Sequence, residues 1–126
     1  VPAVADADRL RFHEIASTRK DLVEKARAGK LSPDEMSRGT FTISSLARSN
    51  ITHFTAIINP PQTAILSVGP TRERPVVVDG ELKVGRVATL GLSVDHRVID
   101  GKVAAEFLSE LTEFLENASQ KLISYY

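Results

Sequence analysis

The 126-residue chain contains no cysteine and carries no net formal charge, because 16 basic side chains balance 16 acidic ones. The lack of cysteine excludes a disulfide framework, a thiolate metal site and a cysteine nucleophile, and it favours a reducing compartment. The balanced charge gives no indication of a nucleic-acid or anionic-membrane partner. The sequence therefore predicts neither kind of partner, and any function must rest on particular residues.

Long apolar runs are also missing from the sequence. No stretch approaches the roughly 20 apolar residues that a transmembrane helix needs. The N-terminal segment Val1–Leu10 has neither a basic leader nor a long apolar stretch. We therefore expect a soluble intracellular protein. A chain of this length can bury roughly two thirds of its unfolded surface, so one domain with a real core is expected.

Two helices are predicted before residue 40. Apolar residues recur at helical intervals from about Leu10 to Ala28, and Gly29 follows directly as a stop signal. In the segment Ser32–Glu35, the serine can cap a helix, the proline suits the first helical position and the glutamate completes a capping box. This pattern predicts a second, short helix.

The middle of the chain is predicted to be β-structure. A β-branched run from Thr40 predicts a strand, and the following segment 47–54 predicts a loop. The two prolines of Asn59–Gln62 predict a turn, and the apolar segment 63–69 after it predicts a mostly buried strand. The pair Asp79-Gly80 between two strand-like runs predicts the tight turn of a β-hairpin.

The last part of the chain predicts one strand followed by one helix. The alternating run Arg86–Val94 is typical of a central strand. The residues expected on one of its faces are Ala88, Leu90, Leu92 and Val94. An apolar stripe with helical spacing begins after Gly101 and ends near Asn117. The order of helix, strands and helix predicts an α+β layer in which helices pack on one sheet.

The segment that joins this strand to this helix contains His96 and Asp100. A rigid scaffold most often presents side chains to a ligand at such a place. An ordinary imidazole has a pKa of about 6.5, which suits proton transfer near neutrality. Aspartate is also among the best helix caps, and a histidine in a turn can be merely hydrogen-bonded at the surface. From the residues alone both interpretations stay open. His13 lies within the first helical pattern and His53 in a loop, and neither has a neighbouring constellation of candidate functional residues, so both are expected to be structural or exposed.

Four segments together resemble a known family. They are "DHRVIDG", "GTFTISSL", "FTAIINPPQTAILSVG" and the final helical run. They are similar to the C-terminal half of the catalytic domain of the dihydrolipoyl acyltransferases, the core components of 2-oxoacid dehydrogenase complexes. The resemblance covers nearly all of residues 1–126, which would form the C-terminal part of one such domain. It implies a chloramphenicol-acetyltransferase-like fold with a mixed or mostly antiparallel sheet, in the cytoplasm or, in a eukaryote, in the mitochondrial matrix.

The resemblance also implies a reaction and its partners. An acyl group moves between the thiol of a lipoyl group, carried on a separate domain, and the thiol of the substrate coenzyme A. Homotrimers with active sites between subunits assemble into a larger core, which works with a 2-oxoacid decarboxylase and dihydrolipoyl dehydrogenase. The family's base matches His96, its motif aspartate matches Asp100, and the hydroxyl that stabilises the tetrahedral intermediate matches Ser44. In that family the histidine and the serine meet across a subunit boundary.

The chemistry of these residue types suits the implied reaction. A thiol with a pKa near 8.5 is mostly protonated at neutral pH, so its attack on a thioester needs a base such as His96. A fixed hydroxyl donor at the oxyanion is worth about 2.7 to 4 kcal/mol, and Ser44 would supply it. Strand alternation directs Ser45 to the opposite face. We expect Asp100 to orient the loop, by capping or by pairing with a basic residue.

The chain differs from the family's fold in length, and from chloramphenicol-modifying relatives at Asp95. The family's fold has about twice this length, so the chain is expected to be a fragment, and the walls that select an acetyl, branched-chain or succinyl group lie largely outside it. The size of the core is equally open. Asp95 stands where chloramphenicol-modifying relatives have a second histidine, which argues against antibiotic acetylation. Two alternatives remain, an inactive core-like subunit that acts in assembly and a globular α+β binding module.

Overall fold

The computed structural model describes residues 1–118. The chain divides into two compact units, Val1–Phe41 and Thr42–Tyr126. In chain order the elements are a short 3-10 turn Ala7–Arg9, α1 Phe12–Arg27, α2 Pro33–Ser37, β1 Thr42–Ser45, β2 Ala64–Val68, β3 Arg72–Val78, β4 Glu81–Val87, β5 Leu90–Val94 and α3 Gly101–Glu116. Over the described residues, the helices are too short or too polar to cross a membrane.

The first unit contains the two helices that were predicted before residue 40. α1 ends before Gly29, which has a φ of 66° and so takes the left-handed conformation that glycine favours. α2 opens with the expected capping box, in which Ser32 Oγ accepts from the Glu35 amide at 3.1 Å and the Glu35 carboxylate accepts from the Ser32 amide at 2.9 Å. Lys25 Nζ on α1 also donates to this carboxylate, at 2.6 Å. Glu35 therefore joins α1 to the start of α2.

The predicted hairpin is present, but it forms a sheet of its own. Asp79 and Gly80 have φ values of 53° and 78°, which suit the tight turn between β3 and β4. The two strands pair only with each other in an antiparallel two-stranded sheet. The expectation of one sheet is therefore wrong. Pro70 lacks an amide hydrogen, so it cannot continue the ladder from β2 into β3.

The other three strands form a mixed sheet in the order β1-β2-β5. β1 runs parallel to β2, and β5 runs antiparallel to it. The mixed sheet with helices confirms the α+β class. The residues Ala64–Ser67 of β2 are all buried, which confirms the prediction of a buried strand. The central position belongs to β2.

The run Arg86–Val94 is not one central strand, so that prediction is wrong. β4 ends at Val87 in one sheet and β5 begins at Leu90 at the edge of the other. At the break, the Gly69 amide donates to the Thr89 carbonyl at 2.9 Å. All five residues of β5 are half-buried, so the expected difference between its two faces does not appear in their burial. Ala88 and Thr89 link the two strands, and neither is a glycine or a proline. The sequence therefore contains no signal for the break within its alternating pattern.

α3 follows β5 in the chain and contacts it. It begins after Asp100 and ends at the predicted position, before Asn117. Its apolar stripe is only partly covered. Leu108, Leu111 and Phe114 are half-buried, whereas Val103, Phe107 and Leu115 are exposed.

Candidate active site

His96 lies in the turn that follows β5, with an exposed side chain. Its neighbour Asp95 builds the turn through its main chain. The Asp95 amide donates to the Thr63 carbonyl at 2.8 Å, and the Asp95 carbonyl accepts from the amides of Val98 and Ile99, each at 3.0 Å. The histidine is therefore held between the last hydrogen bond of the sheet and a closed turn.

The Asp95 side chain pairs with Arg97 on the other side of His96. Arg97 Nε lies 2.9 and 3.1 Å from the two carboxylate oxygens, Arg97 Nη2 lies 2.6 Å from Oδ2, and the Arg97 amide lies 3.1 Å from Oδ1. Side-chain and then backbone hydrogen bonds from Arg97 lower the pKa of Asp95 from 3.8 to about 2. Asp95 is therefore ionised throughout the pH range in which an ordinary imidazole titrates.

Asp100 closes the other end of this segment by capping α3. Its Oδ1 accepts from the Val103 amide at 2.9 Å, and its carbonyl accepts from the Ala104 amide at 3.2 Å. A carboxylate at this position satisfies a helix amide that has no partner within the helix. The capping role expected for Asp100 is confirmed. The turn that carries His96 thus runs from a strand end to a capped helix start.

Ser44 and Ser45 occupy opposite faces of β1, as predicted. Ser44 is half-buried and Ser45 is exposed. The Ser45 Oγ accepts from the Ala47 amide at 3.3 Å, so it helps to form the turn after the strand. Among residues 1–118, no group forms a hydrogen bond with the Ser44 hydroxyl. Within the described residues, the Ser44 hydroxyl thus has no partner that would compete with a ligand.

Ser44 belongs to a row of small residues across the three strands. It pairs with Ser67 of β2, which pairs in turn with Gly91 of β5. The buried Ser67 hydroxyl donates to the Gly91 carbonyl at 3.1 Å. A Cβ on Gly91 would lie 2.6 Å from Ser67 Oγ and 3.6 Å from His53 Cε1. The exposed His53 therefore lies beside this row, a position that its loop location did not indicate.

Ser44 and His96 are far apart within the chain. Ser44 is level with Gly91 across the sheet. Asp95 lies four residues beyond Gly91, and its amide still donates to Thr63, the residue before the central strand β2. A rise of about 3.3 Å per residue and a spacing of about 4.8 Å between strands place the Cα atoms of Ser44 and Asp95 about 16 Å apart. His96 follows Asp95 directly. The Ser44 and His96 side chains of one chain therefore cannot act on the same reacting atom.

Metal ligands do not gather at either place. Within the part of the chain that the structure describes, no three His, Cys, Asp or Glu side chains are grouped so that they could hold a metal ion. His96 supplies an imidazole, Asp100 supplies a helix cap and Ser44 supplies a hydroxyl. These groups can move a proton, orient a turn and donate a hydrogen bond.

Comparison with known proteins gives a family match over most of the chain. The family model for 2-oxoacid dehydrogenases acyltransferase (catalytic domain) matches residues 1–123. The dihydrolipoyllysine-residue succinyltransferase component of the 2-oxoglutarate dehydrogenase complex of Rickettsia felis is 43% identical over 124 residues. That match covers 98% of this chain and 31% of the relative. The chain thus spans about three tenths of the length of this curated relative.

Solved structures agree in fold. The cubic core of a pyruvate dehydrogenase multienzyme complex matches with a TM-score of 0.89 and 39% identity, over 97% of this chain and 50% of the other. The dihydrolipoamide acetyltransferase of Azotobacter vinelandii matches with a TM-score of 0.89 and 40% identity, over the same shares of the two chains.

The Azotobacter vinelandii structure belongs to an investigation of a serine, a histidine and an asparagine in that enzyme's catalytic mechanism. In the numbering of that protein the histidine follows the serine by 52 positions and precedes the asparagine by four. Ser44, His96 and Asp100 have the same separations in this chain, with aspartate at the third position.

Proposed function

Because the chain belongs to the family of 2-oxoacid dehydrogenase acyltransferase catalytic domains, we propose that it transfers an acyl group between the thiol of a dihydrolipoyl group and the thiol of coenzyme A. The observation that carries this proposal is the spacing of Ser44, His96 and Asp100, which equals that of three residues investigated in the mechanism of a dihydrolipoamide acetyltransferase. Residues 1–126 would form the C-terminal part of one catalytic domain with a chloramphenicol-acetyltransferase-like fold.

His96 is proposed as the general base. A thiol is mostly protonated at neutral pH, and its attack on a thioester carbonyl proceeds faster when an imidazole removes the proton. The exposed position of His96, on a turn held by Asp95, leaves its ring accessible to a substrate thiol. The same imidazole would return the proton to the departing thiolate. The reaction then needs no further acid or base.

Ser44 is proposed as the donor to the oxyanion. Attack on the thioester carbonyl places negative charge on its oxygen, and a preorganised hydroxyl stabilises that charge. The Ser44 hydroxyl has no competing partner among the described residues, and it lies on a strand paired with the buried β2. A rigid strand of this kind holds a donor in place more precisely than a loop.

The site is proposed to form between two subunits of a trimer. The separation of about 16 Å between the Cα atoms of Ser44 and Asp95 supports this arrangement. If the Ser44 hydroxyl and the His96 imidazole act at the same reacting atom, they must come from different chains. The trimers would assemble into a larger core, like the cubic core to which the chain is similar. Such a core would receive lipoyl domains and would work with a 2-oxoacid decarboxylase and dihydrolipoyl dehydrogenase. We place it in the cytoplasm or, in a eukaryote, in the mitochondrial matrix.

The proposal can be tested by replacing His96 in the whole protein. The assay follows acyl transfer to dihydrolipoamide from acetyl, succinyl and branched-chain acyl coenzyme A. We expect the wild type to use at least one donor and His96→Ala to lose about a hundredfold to ten-thousandfold in kcat. His13→Ala, an exposed histidine of α1, is the matched control and should retain full activity.

Two results would contradict the proposal. Near-normal acyl transfer by His96→Ala would show that His96 is not the general base. A wild type that forms large particles but transfers none of the three acyl groups would instead support the alternative, a core-like subunit that acts in assembly.

A further inference from the structure

We propose that Asp95 and Arg97 are positioning residues that hold His96 in its working orientation. The inference rests on the proposed function, because it takes His96 to be the base. The two side chains come from the residues on either side of His96, and they join across it through the hydrogen bonds between the carboxylate and the guanidinium. Neither side chain is needed to touch a substrate.

Asp95 acts on the turn through three different groups. Its amide attaches the turn to Thr63 at the end of the sheet, and its carbonyl closes the turn onto Val98 and Ile99. Its carboxylate binds both the side chain and the amide of Arg97. The main-chain bonds fix where the turn lies, and the carboxylate fixes the direction of the peptide that follows His96. A change at the carboxylate should therefore rotate the turn without detaching it.

The guanidinium suits this task better than an ammonium group does. Two roughly parallel hydrogen bonds join the two groups. Arg97 Nε donates to Asp95 Oδ1 at 2.9 Å, and Arg97 Nη2 donates to Asp95 Oδ2 at 2.6 Å. Such a fork restricts the angle between the two groups as well as the distance. A lysine at the same position could supply only a point charge. The planar pair therefore restricts rotation of the turn.

Exposure distinguishes this role from a contribution to overall stability. The Arg97 side chain is 88% exposed, whereas that of Asp95 is 21% exposed. Exposed ion pairs add little to global stability. A displacement of about 1 Å at a catalytic group can nevertheless cost about a hundredfold in rate. The pair should therefore affect the rate of the chemical step much more than it affects folding.

The test compares kinetic constants of whole-protein variants in the acyl-transfer assay. Arg97→Ala should lower kcat by about tenfold to a hundredfold, with little change in KM for dihydrolipoamide or for the acyl coenzyme A. Arg97→Lys should recover part of the loss. Asp95→Asn should resemble Arg97→Ala, and the double variant should be no worse than either single one, because both changes remove the same clamp. Arg19→Ala, an exposed arginine of α1, should behave as the wild type.

Several results would overturn the inference. One is an unchanged kcat in folded, assembled Arg97→Ala or Arg97→Lys. Another is a rise in KM alone, which would make Arg97 a substrate-binding residue. A loss of activity that only follows the loss of folded protein would show a merely structural role. The wild type and His96→Ala are measured in parallel, so that failure of the proposed function, seen as an inactive wild type or an active His96→Ala, is distinguished from failure of this inference.

Discussion

Ser44 and His96 lie at opposite ends of the same three-stranded sheet. β1 and β5 run in opposite directions on either side of β2, so the last residues of these two strands lie at opposite ends of the sheet. Ser44 is level with Gly91, near the start of β5, whereas His96 follows the end of that strand. A shared catalytic site then requires the serine of one chain and the histidine of another.

Replacing Ser44 by alanine should lower kcat by about a hundredfold to a thousandfold, because the oxyanion loses its fixed donor. The matched control is Ser45→Ala, on the opposite face of the same strand, where the hydroxyl only accepts from the Ala47 amide. Steady-state kinetics of acyl transfer measure both variants. Equal losses in the two serine variants would contradict the assignment of Ser44.

Asp100→Asn should retain more stability and more activity than Asp100→Ala. An asparagine keeps an oxygen that can accept from the Val103 amide, whereas alanine removes the cap of α3. The cost of the alanine change should be about 1 kcal/mol in the free energy of unfolding. Urea unfolding and kcat are measured for both variants. If both were as inactive as His96→Ala while the turn stayed in place, Asp100 would have a direct chemical role.

Gly91→Ala should destabilise the protein by about 1 to 3 kcal/mol, because its new methyl group would overlap with Ser67 Oγ, 2.6 Å away. Adding Ser67→Ala should restore part of this loss, since it removes the overlapping atom. Gly69→Ala provides a comparison, because its methyl group would lie 2.4 Å from the Thr52 carbonyl oxygen, which no side-chain change can remove. Thermal unfolding of the wild type and of these three variants measures the changes. A double variant less stable than Gly91→Ala would contradict this packing.

Glu35→Gln should reduce stability at neutral pH but not at strongly acidic pH. Hydrogen bonds from Lys25 and then from Ser32 lower the pKa of Glu35 from 4.5 to about 2. Because the pKa is lower in the folded state, the ionised carboxylate contributes stability above about pH 4.5, and this contribution is lost as the pH falls toward 2.

The measurement for Glu35 is urea unfolding of the wild type and Glu35→Gln between pH 2 and 7. The difference between the two proteins should shrink as the pH falls through this range, and added salt should reduce it at neutral pH. Glu24→Gln, an exposed change on α1, is the control and should not show this pattern. A difference between wild type and Glu35→Gln that stays constant with pH would contradict the assignment.

The features that the sequence predicted correctly are local ones. Three of them depend only on backbone groups no more than three residues away in the sequence. They are the capping box of Ser32 and Glu35, the turn at Asp79-Gly80 and the cap at Asp100. Patterns of this kind can be recognised from a few neighbouring residues of the sequence. For the same reason the bounds of α1 and α3 could be predicted closely.

The features that the sequence did not predict depend on contacts between distant segments. The run Arg86–Val94 breaks because its first residues pair with β3, whereas Thr89 and the residues after it pair with β2 and Gly69. An alternating pattern does not reveal this change of partner. The position of His53 beside Gly91 arises because the loop that carries it returns to the sheet. The pairing of Asp95 with Arg97 depends on the conformation of the turn between them. Asp95 and Arg97 both belong to the segment "DHRVIDG", but that segment alone does not show which of its side chains contact each other.

We propose that two chains complete one active site, and mixing two inactive variants tests this arrangement. Ser44→Ala and His96→Ala proteins are combined under conditions that allow subunits to exchange, and heterotrimers are verified before the lipoyl-to-coenzyme-A assay. Some boundaries then pair an intact serine with an intact histidine from different chains. We predict that activity returns in the mixture while each parent stays inactive. Verified heterotrimers that remain as inactive as either parent would contradict the shared site.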